Sequence, residues 1–326
     1  MQSAKEAYMA LVKGEHADFI PETYGTVKSL VFPGERYIDL EHFDPYGTGP
    51  DAWGVLWTNR GPNPVVDGNM VAKNFRLFDS MEDWKENVKF PPVDYMPVKD
   101  ILNGMAVGMG YNPDEHLKEV LLLSGPFERM NQMVGMEEAL VSFYTCPDEV
   151  HEFLDAMCEY KLHCIDLAYE AVHPEIICMH DDWGHERNMM FSPEIWREFI
   201  KPLEKKFAEK IHSYGMIYNH HSCGHIEQIV PDLVEIGVDI INPVMVTNDV
   251  KGLLKKYGDK ICFAGGYDVR TLDGDSTPEE RFAEIKRGFD EYLPLGRWIP
   301  YYIPSVEARW FEYMGIINEL GRKYSK

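Results

Sequence analysis

The chain lacks any apolar run of the roughly eighteen residues that a membrane-spanning helix needs, and it has few basic residues for its acidic content. Its 326 residues include 32 Lys and Arg against 54 Asp and Glu, which gives a formal net charge of −22. Phosphate backbones and anionic lipid headgroups repel so acidic a chain. The composition therefore argues against nucleic acid and membranes as partners. The charge is consistent with solubility alone, and docking to the basic surface of another protein stays open.

Secretion signals and disulfide patterns are also missing. The first residues, Met1–Phe19, predict an amphipathic helix rather than the apolar segment and cleavage site of a signal peptide. The six cysteines show no paired spacing of a disulfide framework, and Cys158 and Cys164 fall within a helical pattern. These features predict a cytoplasmic protein whose thiols are reduced.

Nucleotide-binding motifs are absent as well, since no GxGxxG and no P-loop follows an apolar segment. Instead, short apolar segments alternate with amphipathic helical patterns, such as the long helix predicted over Pro147–Val172. This alternation indicates a parallel sheet covered by helices, and the number of units predicts a closed (β/α)8 TIM barrel. We expect a single domain over residues 1–326. Residues 1–115 form an irregular, aromatic-rich N-terminal extension with the first barrel elements, and residues 116–326 form the regular β/α units.

The N-terminal extension is notable for large aromatic side chains between turn-forming residues. Trp53, Trp57 and Trp84 lie here. Aromatic residues in such a region are expected to pack as a lid or as a subunit contact. A second interpretation is that they line the apolar part of a substrate pocket.

Groups that bind metals or move protons are concentrated at the ends of two predicted strands. The first strand covers residues 176–179 and the second covers residues 216–219. The side chains that follow them are His180, Asp181, Asp182, His185, His220, His221 and Cys223. Between the strands, Ser192, Pro193 and Glu194 signal the start of a helix. Barrel enzymes place their active sites at the carboxyl ends of parallel strands, so we expect the site here.

His221 and Cys223 form an H-x-C pair whose side chains share one face of a strand. Imidazole and thiolate are preferred zinc ligands, and a catalytic zinc takes three protein ligands and one open position. A third ligand is expected from another strand end. Cys262 is the first candidate by chemistry, although it is equally well interpreted as a small buried strand residue. The further candidates are Glu194, Asp181, Asp182, His185 and His220.

Several segments resemble the uroporphyrinogen decarboxylase superfamily, which has a (β/α)8 barrel. The segments are Asp181-Asp182-Trp183-Gly184, Ser192-Pro193-Glu194, residues 221–226, residues 231–239 and Gly265-Gly266-Tyr267-Asp268. The decarboxylase itself carries an Arg-rich N-terminal motif that holds the carboxylates of its substrate. The corresponding region here has only Arg36 and Arg60, in no such motif. The resemblance therefore favours a different branch of the superfamily.

That branch consists of zinc-dependent methyltransferases that work with corrinoid proteins. Within this branch, the chain resembles the substrate-demethylating component of anaerobic O-demethylases in its Asp181-Asp182-Trp183-Gly184 segment. This resemblance implies zinc held by an acidic residue and two well-separated cysteines, which Glu194, Cys223 and Cys262 match, with His221 beside them. A cysteine near the last strand, which the coenzyme M branch uses, is absent from residues 298–305.

The function implied by the resemblance is transfer of a methyl group from a small methylated substrate, an aryl methyl ether, to the cob(I)alamin of a separate corrinoid protein. Zinc would stabilise the departing oxygen, and Asp181, Asp182 or His185 would share the proton. Two alternatives stay open. One is a methylcobamide-dependent methyltransferase that acts on a thiol or another acceptor, and the other is a metal-free binding protein. The superfamily often forms homodimers.

Overall fold

The computed structural model describes residues 1–34, 48–61, 69–304 and 307–325. These residues contain a parallel sheet of seven strands in the order β1-β5-β6-β7-β8-β9-β10 and an antiparallel sheet of three strands in the order β2-β3-β4. The strands are β1 (Val27–Val31), β2 (Gly49–Pro50), β3 (Leu56–Asn59), β4 (Asn69–Val71), β5 (Leu117–Leu122), β6 (Ile176–His180), β7 (Ile217–His221), β8 (Ile240–Val244), β9 (Cys262–Gly265) and β10 (Trp298–Ile299).

Helices alternate with the strands of the large sheet and pack against it, as the sequence predicts. They are α1 (Ala4–Lys13), α2 (Thr23–Thr26), α3 (Trp84–Asn87), α4 (Val98–Gly108), α5 (Pro126–Val134), α6 (Met136–Thr145), α7 (Pro147–Val172), α8 (Pro193–Ile195), α9 (Lys201–Ser213), α10 (Val230–Ile236), α11 (Val250–Tyr257), α12 (Val269–Asp273), α13 (Pro278–Glu291) and α14 (Glu307–Gly321). Within the described ranges, no helix is both long and apolar enough to cross a membrane.

Local sequence signals explain where the helices begin and bend. The Ser192 side chain accepts a hydrogen bond from the backbone N–H of Ile195 and caps α8, as predicted. A π-helical segment, Trp196–Ile200, joins α8 to α9. Pro202 follows this segment and has no N–H to donate to the preceding turn. The missing hydrogen bond is the physical reason for the wider turn, which the sequence analysis did not foresee.

The large sheet curls, as hydrogen bonds between its two edges show. The hydroxyl groups of Thr23 and Tyr24, which precede β1, donate to the backbone oxygens of Pro300 and Tyr302 at 2.8 Å in both cases. Pro300 directly follows β10, at the opposite edge of the sheet. The curl brings the first and last strands into the same neighbourhood.

A buried carboxyl group links three strands across the concave face of the curled sheet. Glu119 of β5 accepts hydrogen bonds from Ser29 Oγ of β1 at 2.6 Å and from Asn219 Nδ2 of β7 at 2.7 Å. Because β6 lies between β5 and β7, the second bond spans the hollow of the sheet. Burial raises the pKa of Glu119, against the opposing effect of these two hydrogen bonds. The interior below the predicted site is therefore polar.

The structure agrees with the predicted α/β fold and parallel sheet, but it differs in strand count. The sequence predicts eight barrel strands, whereas the large sheet contains seven among the described residues. The N-terminal region contributes β1 to this sheet and forms the separate antiparallel sheet, which the sequence analysis did not predict. Arg36 lies outside the described residues, and Arg60 is exposed after β3.

The three N-terminal tryptophans are part of the core rather than an exposed lid. Trp53, Trp57 and Trp84 are all buried. Trp53 packs edge to face on Tyr160, and Trp84 packs in the same way on Phe153. Both partners belong to α7, so these contacts attach the irregular region to the regular part of the fold.

A buried ion pair joins the antiparallel sheet to α5. Arg129 Nη1 lies 2.6 Å from Asp51 Oδ2, and neither side chain is exposed. Asp51 also accepts hydrogen bonds from the backbone N–H groups of Trp53 and Val55 and from the indole N–H of Trp57. This carboxylate therefore has its charge and hydrogen-bonding capacity satisfied only while α5 and the antiparallel sheet are in place.

We predict that Arg129→Met lowers the free energy of unfolding by about 3–5 kcal/mol, because it leaves the Asp51 carboxylate buried without a cation. Urea denaturation followed by circular dichroism measures the loss. Lys85→Met is the matched control, since the Lys85–Glu152 ion pair is exposed and is worth less than about 1 kcal/mol. Equal stability losses in the two variants contradict the prediction.

Candidate metal centre

Two neighbouring strands end in the same alternating pattern of ligand side chains. β6 ends in His180, with Asp182 two residues later, and β7 ends in His221, with Cys223 two residues later. His180 lies directly opposite His221 in the parallel pairing. Side chains two residues apart share a face of an extended strand. The pairing therefore brings four ligand groups together at the carboxyl end of the sheet.

The distances among three of these groups suit a metal ion, and the fourth group, Cys223, contacts two of the three. The ligand atoms of His180, Asp182 and His221 all lie within 4.8 Å of one another. Cys223 Sγ is 3.6 Å from His221 Nε2, and the Cys223 backbone N–H donates to Asp182 Oδ1 at 2.6 Å. Imidazole, carboxylate and thiolate are the groups that bind zinc in proteins. We refer to His180, Asp182, His221 and Cys223 as the ligand cluster.

Glu128 orients His180. His180 Nδ1 lies 2.8 Å from Glu128 Oε2, and the imidazole ring stacks on His221 with ring centroids 4.0 Å apart. A carboxylate on one ring nitrogen fixes the ring and leaves the other nitrogen for a metal or a proton. Burial by itself lowers the pKa of His180, but the charge and hydrogen bond of Glu128, together with Asp182 and Asp181, raise it to about 9.

The other groups of the ligand cluster differ in whether they carry a proton that a metal ion must displace on binding. Burial, followed by the charge of His180, lowers the pKa of His221 well below its usual range, so this imidazole is neutral at physiological pH. Burial and the nearby Asp182 and Glu128 carboxylates raise the pKa of the Cys223 thiol to about 12. The pKa of Asp182 is also raised, first by burial. A metal ion must therefore displace a proton from Cys223 but not from His221.

The loops that carry Asp182 and Cys223 touch each other backbone to backbone. A Cβ atom on Gly184 would lie 2.5 Å from the carbonyl oxygen of Cys223, and one on Gly224 would lie 2.3 Å from the carbonyl carbon of Gly184. Gly224 also has a φ of 84°, which L-residues with a side chain rarely adopt. Glycine is required at both positions, and their contact holds the two ligand loops at a fixed separation.

Asp181 and His185, predicted together with Asp182 to share a proton, lie apart from the ligand cluster. Asp181 is fully buried and accepts hydrogen bonds from the backbone N–H groups of Phe127 and Glu128, at 3.2 and 2.7 Å. It therefore caps the N-terminus of α5 from the outer face of β6. His185 is exposed. Of the three predicted proton-sharing groups, the structure brings only Asp182 to the cluster.

Two predicted ligands, Glu194 and Cys262, also lie apart from the ligand cluster. Glu194 is in the first turn of α8, and 78% of its side chain is exposed. Cys262 is buried at the beginning of β9, opposite Ile240, which in turn is opposite Asn219 of β7. Cys262 is therefore two residues, or roughly 7 Å along the strands, below the level of His221.

Sequence reasoning placed His180 at the predicted site but did not count it among the candidate ligands, and it missed Glu128. The signal for His180 was available: His180-Asp181-Asp182 has the same ligand spacing as His221-Ser222-Cys223. An H-x-D pair beside an H-x-C pair predicts one four-group site once the two strands are known to be neighbours. Glu128 had no comparable signal, because 52 residues separate it from His180.

A cavity of about 170 Å³ opens beside the ligand cluster. His221 and Cys223 form one wall. The other lining residues, which are mostly apolar or aromatic, are Pro243, Val244, Met245, Gly266, Tyr267, Val269, Tyr301, Tyr302 and Ile303. Among the described residues, the aromatic wall therefore comes from tyrosines of the C-terminal half and not from the N-terminal tryptophans. The cavity can hold a small, largely apolar molecule against the ligand cluster.

Comparison with known proteins identifies the family to which this site is related. The sequence model of the family described as "Uroporphyrinogen decarboxylase (URO-D)" matches residues 120–299. This segment covers more than half of the chain and contains all four residues of the ligand cluster.

Two similar proteins come from Methanosarcina mazei. One is a "Methylated-thiol--coenzyme M methyltransferase", which is 25% identical over 173 residues, or 51% of this chain. The match spans less than half of that relative, 43% of its length. The other is a solved structure titled "methyltransferase from Methanosarcina mazei", with a TM-score of 0.68 and 16% identity over 98% of this chain and 99% of that chain. This second likeness shows a shared fold.

We predict that Gly224→Ala lowers zinc affinity at least about tenfold, because the added Cβ pushes the Cys223 loop away from Asp182. Chelator competition measures the affinity. Gly215→Ala is the matched control, since Gly215 also has a positive φ of 73° but no atom within 4 Å of the added Cβ. The control should lose about 1–2 kcal/mol of stability from backbone strain alone and keep its zinc affinity. Unchanged zinc affinity in Gly224→Ala contradicts the role given to the glycine contact.

We also predict that zinc binding releases protons, so that affinity rises with pH. At pH 7 the Cys223 thiol, with its pKa of about 12, and the His180 imidazole, with its pKa of about 9, both carry a proton. Ligation displaces the proton of Cys223 and, where His180 is the third ligand, the proton of His180 as well. Release of about one to two protons corresponds to roughly a tenfold to hundredfold gain in affinity per pH unit. Calorimetry in buffers of different ionisation enthalpy counts the protons. Cys223→Ser should release about one proton fewer, and pH-independent binding contradicts the assignment.

Proposed function

The chain belongs to the uroporphyrinogen decarboxylase family, and from this we propose that it is a methyltransferase that exchanges a methyl group between a small methylated substrate and the corrinoid of a separate protein. The observation that carries the proposal is the ligand cluster of two imidazoles, a carboxylate and a thiol beside a small apolar cavity. Similarity to the methylated-thiol–coenzyme M methyltransferase supports methyl transfer as the class of reaction.

The composition of the cavity argues against the decarboxylase activity of the family name. That reaction requires cationic groups to hold a substrate with many carboxylates. Among the described residues that line the cavity, none is Arg or Lys. A substrate with several negative charges would enter this site at a large desolvation cost.

We assign a zinc ion to the ligand cluster, with His221 and Cys223 as two of its ligands. A catalytic zinc needs a third protein ligand and an open position. Asp182 and His180 are better placed to complete the set than Glu194 and Cys262, which the family resemblance implies. Bound at this position, zinc supplies Lewis acidity towards the oxygen or sulfur atom that exchanges the methyl group.

The ligand cluster has one group more than a catalytic zinc needs, and that group is free to handle a proton. If Asp182 is the third ligand, the His180 imidazole, held by Glu128 and protonated below pH 9, donates a proton from Nε2 to the departing atom. If His180 is the ligand, Asp182 takes this role, because burial raises the pKa of its carboxyl group. The cavity wall orients the substrate and excludes water from the departing atom.

We propose an aryl methyl ether as the methyl donor. Tyr267, Tyr301 and Tyr302 give the cavity an aromatic wall that suits a ring. A difference of one methylene group changes binding in such a pocket by only about 1–3 kcal/mol. The wall therefore selects a class of small aromatic ethers and not a single compound.

A thiol is the second candidate, because the curated relative is named for a methylated thiol and coenzyme M. In this version the methyl group moves between a sulfur atom and the corrinoid, and zinc held by the same ligand cluster would supply Lewis acidity towards that sulfur atom. A metal-free binding protein is the third candidate. It requires Cys223 to be an ordinary buried thiol.

We predict about one zinc ion per chain in the purified protein, lost in Cys223→Ala and retained in Cys262→Ala. Supplied with a reduced corrinoid protein, the wild type should demethylate methoxylated aromatics, and Cys223→Ala should lose at least about a hundredfold in rate. Elemental analysis and the absorption change of the corrinoid measure the two effects.

The alternatives give different results in the same experiments. Loss of zinc in both cysteine variants supports the ligand set of the family resemblance, with Cys262 included. Turnover of methylated thiols but not of methoxylated aromatics supports the thiol candidate. A wild type without zinc refutes the methyltransferase proposal and leaves the metal-free binder.

A further inference from the structure

A buried polar group lies on the outer face of β7, behind the ligand cluster. Glu204 of α9 has no exposed surface. Its Oε2 atom accepts a hydrogen bond from the Tyr218 hydroxyl at 2.5 Å and lies 3.2 Å from His220 Nδ1. Tyr218 and His220 are also fully buried. Burial of a carboxylate is costly, so this arrangement calls for an explanation beyond core packing.

His220 connects Glu204 to the loop that carries Asp182. The imidazole ring of His220 stacks face to face on Trp183, with ring centroids 4.1 Å apart and an interplanar angle of 16°. The backbone N–H of Trp183 donates to Ser222 Oγ at 3.0 Å. Trp183 directly follows Asp182, and His220 directly precedes His221. Through His220, Glu204 is therefore linked both to the loop that carries Asp182 and to the His221–Cys223 pair.

The π-helical segment sets the position of Glu204. A π turn inserts one extra residue into a helix, which rotates the following residues by about 100° around the helix axis. Glu204 comes four residues after the end of this segment at Ile200. This rotation determines which side chain of α9 contacts β7. The π-helical segment therefore places Glu204 behind the ligand cluster.

We propose that Glu204 is a positioning residue for the metal centre. By holding the His220 ring, it fixes the ring against Trp183 and so sets the separation of Asp182 from the His221–Cys223 pair. This inference rests on the metal site of the proposed function. Because a positioning residue acts on the geometry of the metal ligands, the inference predicts a change in metal binding as well as a change in the reaction.

The test compares Glu204→Ala with Glu204→Gln in protein loaded with zinc or with cobalt(II). Alanine removes the carboxylate that lies 3.2 Å from His220 Nδ1, so zinc affinity should fall about tenfold and the visible absorption bands of cobalt(II) should shift. Glutamine keeps an acceptor oxygen and should restore both properties to near wild type. Glu209→Ala, on the exposed side of the same helix, is the matched control and should change neither.

Unchanged affinity and an unchanged cobalt spectrum in Glu204→Ala overturn the proposal, and so does an equal loss in the glutamine variant. If Glu204→Ala does not fold, His220→Phe tests the same link, because it keeps a ring on Trp183 but loses the contact with Glu204. Wild-type metal binding in that variant also overturns the proposal. A wild type that binds neither metal refutes the metal site and this inference together, whereas metal in the wild type and in Glu204→Ala alike refutes only the positioning role.

Discussion

The parallel pairing of β6 with β7 is the constraint on which the site depends. It sets His180 opposite His221 and, because side chains alternate along each strand, it also brings Asp182 beside Cys223. A shift of one residue in this pairing would turn two of the four groups to the outer face. The backbone hydrogen bonds of the sheet therefore bring His180 and His221 together, and the loops that follow the two strands add Asp182 and Cys223.

Burial shifts the pKa values of the groups in the ligand cluster. The free-energy cost of burying these groups must be offset by other contacts in the fold. An exposed thiol beside an exposed imidazole would have ordinary pKa values, whereas here the pKa of Cys223 is raised and that of His221 is lowered. Partners offset part of the cost of this burial: the Glu128 carboxylate contacts His180, and the Cys223 backbone N–H donates to Asp182. The contact between Gly184 and Gly224 keeps these partners in place.

The arrangement separates two tasks on adjacent strands. β6, β7 and the residues that follow them supply the ligand cluster, while β8 and the residues that follow β8, β9 and β10 supply the apolar wall of the cavity. A family built in this way can change its substrate by exchanging wall residues without altering the metal site. The described wall contains no Arg or Lys, and three of its side chains are tyrosines.

The sequence by itself determined the features that depend on neighbouring residues. These are the helix over Pro147–Val172, the cap at Ser192 and the delivery of His221 and Cys223 to the end of a strand. Tertiary structure alone decided which of the predicted groups meet: Cys262 is in a strand too, but the register of β8 and β9 leaves it below the level of His221. Propensity and alternation act over a few residues. Register and the packing of helices on strands join segments that are far apart in sequence, and no local pattern encodes those distances.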